Sequence, residues 1–268
     1  EAEATSPAEE AGDPRDAAPG AVLAGRFKLQ RRLGAGSTAV GLLVVDTLAD
    51  GEPERVLKVA LDERAELRLA DEAEVLAKLK GPQLVSLVEG PIPVDGRQAL
   101  LLTNAGSHTL ATELRQRPRL SLDLLERWGT DLLEALVALD RAGVDHRDIK
   151  PANLGVLSRS NKAKHLVLFD FSLTRAAASA TQAGTPPYLD PFLTGKRDRF
   201  DSAAERYSAA VVLFEMATGH PPVYGDGLSD PAAISDEATV NPAEFDPNAG
   251  PALADFFRTA LAREAARR

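Results

Sequence analysis

The chain has 268 residues, 44% of them hydrophobic, carries a net charge of −9 and contains no cysteine. That length can bury one large core or two smaller ones, while the lack of cysteine excludes disulfides, thiolate metal sites and cysteine nucleophiles. The acidic balance argues against direct nucleic-acid binding through a basic surface, and with neither a signal-peptide pattern nor an apolar run near the roughly 20 residues that span a bilayer, a cytoplasmic protein with no membrane partner is expected.

Residues 1–20 hold Pro, Gly, Ala and several acids without apolar periodicity, the composition of a disordered acidic linker. Structure is expected from Arg26 onward. Phe27-Lys28-Leu29-Gln30 alternates as a strand, Leu33-Gly34-Ala35-Gly36-Ser37-Thr38-Ala39 follows as a loop, and residues 42–45 return as a second strand. A hairpin tip without large side chains lets backbone N–H groups approach phosphates. Arg55-Val56-Leu57-Lys58-Val59-Ala60 is an apolar strand broken by one lysine, which needs an anionic partner or a route to solvent. Residues 63–80 follow a helical pattern with Leu69, Ala73, Leu76 and Leu79 near one face, ended by Gly81-Pro82. Glu72 and Glu74 are both candidate partners for Lys58, but two residues apart they point to different helix faces.

Residues 85–88 and 99–102 read as two more strands, joined by a turn over residues 90–96, and Thr103-Asn104-Ala105-Gly106 breaks the pattern. Beyond it the chain turns helical. A short helix is expected over 109–116 and a long one over 121–141, capped by Ser121, with Leu125, Trp128, Leu132, Leu136 and Leu139 along one face and Gly143 as its stop. Directly after comes His146-Arg147-Asp148-Ile149-Lys150-Pro151-Ala152-Asn153, and later Leu168-Phe169-Asp170-Phe171-Ser172. Any single charge pair in these runs is ordinary surface chemistry, but both runs in this order are rare by chance. Together they suit phosphoryl transfer: Asp148 to take or orient a hydroxyl proton, Lys150 to hold a migrating phosphate, and Asn153 to share a divalent metal with Asp170. Residues 172–192 include Thr174, Ser179, Thr181 and Thr185. Residues 202–219 form an apolar helix, 225–250 have little periodicity, and 253–267 make one more helix.

These motifs, over about residues 26–268, resemble the protein-kinase catalytic domain, in its eukaryotic-like bacterial Ser/Thr form. Asp170-Phe171-Ser172-Leu173 followed by Gly184-Thr185-Pro186-Pro187-Tyr188-Leu189-Asp190-Pro191-Phe192 further resembles the kinase component of bacterial phage-growth-limitation (BREX-type) defence systems. The resemblance implies an α+β, bilobal fold: a small antiparallel β N-lobe with one main helix over residues 21–104, and a mostly helical C-lobe over 105–268 that ends before the family's last helix. It implies ATP, Mg²⁺ with Mn²⁺ as a substitute, and a protein substrate. With Met216 the only methionine, it also implies a place inside a larger multidomain protein.

By the same resemblance, the loop of Leu33, Gly34 and Gly36 covers the nucleotide, and with Gly41 in the slot of the usual roofing valine, either Val40 or Leu33 roofs the base. Lys58 holds the α- and β-phosphates and pairs with Glu72, which lies in the family's helix register. The backbones of Thr103 and Ala105 meet the adenine edge at a hinge. Asp148 and Lys150 carry catalysis, Asn153 and Asp170 hold the metal, and Thr185 hydrogen-bonds Asp148 and Lys150 as in Ser/Thr-specific enzymes. Arg147 is expected to receive a phosphate placed by autophosphorylation on Thr174, Ser179 or Thr181. His146 is a packed structural residue. Four positions depart from the family pattern: Ala39 for the third loop glycine, Ser172 for the glycine after Asp-Phe, Glu205 for an anchoring aspartate, and Phe192 for a glutamate whose ion pair with a later arginine (Arg267 by position) is thereby lost. The departures at Ala39, Gly41, Ser172 and Phe192 motivate a non-catalytic nucleotide-binding scaffold as the alternative. A small-molecule kinase shares the Asp–Asn spacing but lacks Lys150-Pro151 and the Gly184-Thr185 loop.

Overall fold

Alternating apolar and polar side chains make strands of much of the first third of the chain. The computed structural model, which describes residues 12–160, 162–195 and 197–268, pairs them into one antiparallel sheet. Its strands are β1 (Val22–Leu23), β2 (Phe27–Ala35), β3 (Ala39–Asp46), β4 (Glu54–Ala60), β5 (Leu87–Val94) and β6 (Arg97–Thr103), in the order β1-β2-β3-β4-β6-β5. Phe27, Leu29, Val40, Leu42, Val44, Leu57, Val59, Ala99 and Leu101 form an apolar layer on one face. Because strand side chains alternate, Lys58 between Leu57 and Val59 points to the other face. Helix α1 (Glu63–Lys78) starts where the Asp62 carboxylate accepts from the Ala65 N–H at 2.8 Å and buries Leu69, Glu72, Ala73 and Leu76.

The chain divides into two compact units: the first runs up to Ala77 and includes Ser86–Asn104, and the second comprises Lys78–Val85 and Ala105–Arg268. The second unit holds a three-stranded sheet, β7 (His108–Thr109), β8 (Leu154–Ser158) and β9 (Lys164–Leu168), with helices α2 (Leu110–Gln116), α3 (Leu122–Ala142), α4 (Ser202–Thr218) and α5 (Gly250–Ala260). Helix α3 is amphipathic and ends at Gly143, whose φ of 63° is left-handed and costs a glycine nothing. Its Trp128 indole N–H donates to the Lys164 carbonyl at 3.1 Å, fixing α3 against β9. Helix α4 is buried nearly all round, and its Phe214 meets Phe257 of α5 edge-on at 5.2 Å and Phe245 at 5.9 Å. The α+β class, with an antiparallel sheet and one helix in the first unit and a mostly helical second unit, is as the sequence led us to expect.

Several boundaries move. Of the expected disordered linker, residues 1–11 lie outside the described residues, but from Asp13 onward the chain is packed: Pro14 is buried and Ala17 sits against the apolar layer. Small side chains and a local Asp–Arg pair leave no periodicity to read, yet they suffice to dock the segment. The turn expected over residues 90–96 is confined to Asp95 and Gly96, because β5 runs on to Val94 through an irregular pairing around Glu89–Ile92. The last helix begins at Gly250 and stops at Ala260, with a separate 3-10 turn at Ala265–Arg267.

Candidate active site

In the first unit, Lys58 Nζ donates to both carboxylate oxygens of Glu72, at 2.8 and 2.7 Å. The side chains are 13% and 3% exposed, so each charge is sheltered by the other. Glu74 is exposed, as expected of the glutamate on the other helix face. The β2–β3 hairpin turns at Gly36-Ser37-Thr38, where Gly36 N donates to Ala39 O at 2.9 Å. Register pairs Gly34 with Gly41 and Gly41 with Lys58, which lays two bare glycines beside the lysine on one face of the sheet. The pairing of β2 slips between Arg32 and Gly34. Leu33, the extra residue, therefore leans over that face: its Cβ lies 3.6 Å from where a Cβ on Gly41 would stand. Val40, named above as one candidate to roof the base, is instead 2% exposed within the apolar layer on the face away from Lys58. Strand alternation excludes it. Leu33, 42% exposed, stands on the Lys58 face.

The connecting stretch is also tightly specified. The Thr103 N–H donates to Ser86 O at 3.0 Å and its hydroxyl accepts from Ser86 N at 2.9 Å, so both are engaged within the sheet. Within the second unit, Ala105 and Gly106 lie flat on β8. A Cβ on Gly155 would meet Ala105 O at 2.2 Å, and one on Gly106, whose φ is 122°, would meet Val156 O at 2.0 Å. Nothing larger than glycine fits either position.

The second unit gathers the remaining groups. Asp148 Oδ1 accepts the Thr185 hydroxyl at 2.7 Å, Lys150 Nζ donates to Thr185 Oγ1 at 2.7 Å, and Lys150 Nζ lies 2.7 Å from Asp148 Oδ2. Asn153, in the 3-10 turn Pro151–Asn153, donates from Nδ2 to Asp148 O at 2.8 Å and to Asp148 Oδ2 at 3.1 Å. Asp170 is brought to the same neighbourhood by backbone, since Phe169 N donates to Asn153 O at 3.0 Å. His146 is a packing residue: its Nε2 is 3.0 Å from Phe169 O, its Nδ1 accepts from Asp148 N at 3.3 Å, and Phe171 meets its ring edge-on at 4.8 Å.

Two non-glycine residues here adopt left-handed backbone, Arg147 with φ 70° and Asp170 with φ 64°. Such conformations cost on the order of 1 kcal/mol or more each and persist where surroundings enforce them. At Arg147 the enforcement is visible, for buried Glu205 accepts from the backbone N–H groups of His146 and Arg147, each at 3.1 Å. Burial pushes the Glu205 carboxyl up to about 8 against those two donors. Ser172 is not among the left-handed residues, so serine in the place of the family's glycine meets no positive-φ requirement here.

Arg147 Nη1 donates to Ala177 O at 2.9 Å, and its guanidinium stacks on Phe200 at 4.9 Å. Burial lowers its pKa from the ordinary arginine value. Its Nε is buried without a hydrogen-bond partner. Of the candidate hydroxyls near this segment, Thr174 is engaged, donating to Phe171 O at 2.8 Å, whereas Ser179 is exposed.

The sequence reading missed Asp190. Phe192 stands where the resemblance puts a glutamate, and Arg267 pairs elsewhere, with Glu237 at 2.8 Å. Yet an ion pair forms two residues earlier: Asp190 Oδ2 meets Arg268 Nη1 at 2.6 Å and Arg197 Nη1 at 2.9 Å. Asp190 and Arg268 are 0% and 1% exposed at their side chains. The Arg268 guanidinium lies over Tyr207 at 4.8 Å and Phe192 at 5.6 Å, so the phenylalanine supplies a ring face where the glutamate would have supplied charge. An acid two positions from its expected place, with arginines far along the chain, was the available signal.

Among the described residues no group of three or more His, Cys, Asp or Glu side chains is placed to hold a metal by itself. The oxygen donors of Asp170 and Asn153 suit a hard cation that takes its other ligands from phosphates. With Nδ2 of Asn153 committed to Asp148, its amide oxygen is the atom suited to a cation.

A family model described as "Protein kinase domain" matches residues 27–268. The chain is 39% identical over 286 aligned positions to "Probable kinase PglW" of Streptomyces coelicolor, covering 96% of this chain and 18% of that protein. It is 29% identical over 260 positions to a probable serine/threonine-protein kinase of the same organism, covering 90% and 37%. It is 31% identical over 224 positions to the serine/threonine-protein kinase PknL of Mycobacterium tuberculosis, covering 79% and 54%. The chain thus spans less than two-fifths of the length of the first two of these relatives.

Proposed function

The chain belongs to the protein kinase domain family, and from that premise we propose that it transfers the γ-phosphate of ATP to serine and threonine hydroxyls of proteins. The observation that carries the reading is the ring of Asp148, Thr185 and Lys150, in which a carboxylate holds a hydroxyl by its proton while an ammonium sits on the same oxygen. A substrate hydroxyl needs the same treatment: Asp148 orients it and accepts its proton, and Lys150 neutralises charge on the phosphoryl group as it moves. Thr185 braces both side chains and favours a Ser/Thr substrate. In the first unit, Lys58, oriented by Glu72, holds the α- and β-phosphates. The bare hairpin of Gly34 and Gly36 lets them approach the backbone closely, and Leu33 covers the base. Thr103 and Ala105 contribute backbone contacts to the adenine edge.

The family uses ATP with a divalent metal. We propose Mg²⁺, with Mn²⁺ as a substitute, held by Asn153 and Asp170; when bound it neutralises phosphate charge. The partly unsatisfied Arg147 guanidinium suits a phosphate on Ser179 or Thr181, with Thr174 the less available hydroxyl, and autophosphorylation in this segment follows. Among the described residues no helix is long and apolar enough to cross a membrane. We place the protein in the bacterial cytoplasm, as part of a larger multidomain protein acting on a protein substrate in a phage-growth-limitation system. The Asp170–Leu173 and Gly184–Phe192 motifs support that setting.

The test is transfer of label from γ-labelled ATP with Mg²⁺ by the wild type beside Lys58→Met and Asp148→Asn. Label on the wild type alone is expected. Label persisting in both variants contradicts the proposal, and nucleotide binding without turnover in all three favours a scaffold.

A further inference from the structure

We infer that residues 12–26 form a strap that positions the phosphate-holding groups of the first unit, with Arg15 as its positioning residue. The inference rests on the reading that Lys58, Glu72 and the β2–β3 hairpin hold ATP. The strap precedes the span matched by the family model, which begins at residue 27, yet it is built into the fold. At its far end Gly20 N donates to Leu29 O at 2.7 Å, Leu29 N donates to Ala21 O at 2.8 Å, and Val22 and Leu23 continue as β1. In the middle, Ala17 packs on the apolar layer. At its near end, the Asp13 carboxylate accepts from the Arg15 backbone at 2.9 Å, from Arg15 Nε at 2.8 Å and from Arg97 Nη2 at 3.0 Å. Those partners, the Arg15 side chain first, hold the carboxyl well below the usual range.

Clamped this way, Arg15 has its Nη1 aimed at one backbone atom, donating to Leu61 O at 2.8 Å, with Arg97 Nη1 at 3.5 Å from the same oxygen. Leu61 is a junction. It lies between the strand carrying Lys58 and the helix carrying Glu72, and the next residue, Asp62, caps that helix. Its own N–H donates to Thr38 O at 3.0 Å, at the tip of the glycine hairpin. One peptide segment therefore joins the hairpin tip, the lysine strand and the start of α1, and the carbonyl that fixes it is held by arginines fastened to Asp13. A guanidinium in a bidentate clamp can set that carbonyl's direction, which a single flexible ammonium cannot.

Loosening the clamp should leave Asp148, Lys150 and Thr185 untouched while blurring the hairpin tip and the Lys58–Glu72 geometry. Arg15→Ala is therefore expected to raise KM for ATP by about three- to tenfold with kcat changed less than about twofold, the size of one charge-assisted hydrogen bond shared with solvent. Arg15→Lys, which keeps the charge but loses the fork, should fall between. Amide hydrogen exchange of the nucleotide-free protein supplies a second readout: Leu61 and the first turn of α1 should exchange faster in Arg15→Ala than in wild type. Lys58→Met and Glu72→Gln run alongside. If those two leave ATP use unchanged, the reading of the site has failed. If they disable it while Arg15→Ala leaves KM unchanged, with or without faster exchange, the strap is only a structural brace and the inference is overturned.

Discussion

Asp190→Ala should unfold the second unit far more readily than its place in a loop suggests. Its carboxylate is out of solvent, joined to Arg268 at 2.6 and 3.3 Å and to Arg197 at 2.9 Å, and it also accepts from the Phe192 N–H at 2.9 Å. Removing it leaves the Arg268 guanidinium, itself buried over Tyr207 and Phe192, without a counter-charge. Breaking one partner of a buried pair typically costs about 3–5 kcal/mol. For a protein of this size about 1 kcal/mol shifts the melting temperature by roughly 2–4 °C, so a fall on the order of 10 °C is expected. Urea or thermal unfolding followed by circular dichroism measures it. The double variant Asp190→Leu with Arg268→Met should recover much of the loss, since an apolar pair carries no desolvation penalty. A single-variant loss below about 1 kcal/mol would refute the account and make this ion pair incidental.

Three further outcomes follow from the geometry. Gly106→Ala would drive a Cβ to 2.0 Å from Val156 O at a φ of 122°; it should cost at least about 3 kcal/mol or yield no soluble protein, and wild-type stability in urea would contradict the close approach. Glu205 is raised in the folded chain, from 4.5 to about 8, so between those values the native state binds more protons than the unfolded one. Its contribution to stability is full below pH 4.5, falls by at most about 1.4 kcal/mol per pH unit as pH rises, and is lost above 8. Glu205→Gln should remove that slope in denaturation curves taken from pH 5 to 8, and an identical slope in both proteins would rule it out. Ser172→Gly should lower stability by about 0.5–1 kcal/mol through backbone entropy and raise kcat less than about twofold; a large gain in activity would show that serine restrains the enzyme.

Much of the site was legible because it is local in sequence. Asp148, Lys150 and Asn153 fall within six residues, so one loop places them together; helix geometry showed that only one of Glu72 and Glu74 could face Lys58, and the register of the family resemblance chose Glu72. Lys58 was legible because a single charge in an apolar strand demands a partner. What failed depended on pairing that sequence does not display. Leu33 is the extra residue of a bulge in β2 and Val40 belongs to β3, and only the register of the two strands shows which of them leans over the glycines. Asp190 finds Arg268 78 positions away, a distance no periodicity spans. The strap was invisible for another reason: Pro14 and Ala17 are too small to mark a stripe, and Asp13–Arg15 looks like any solvated pair. Strands β8 and β9 carry their apolar residues in short runs, residues 154–157 and 166–168, too brief to separate from the loops around them.

The central claim is best tested by single-turnover transfer from γ-labelled ATP, with the wild type and Asp148→Asn compared at matched ATP occupancy and the labelled amino acid identified after hydrolysis. The account predicts label on phosphoserine and phosphothreonine in the wild type and a rate about 10²- to 10⁴-fold lower in the variant, the usual worth of a positioned base. Equal rates in the two proteins, or label found only on a small molecule, would contradict it.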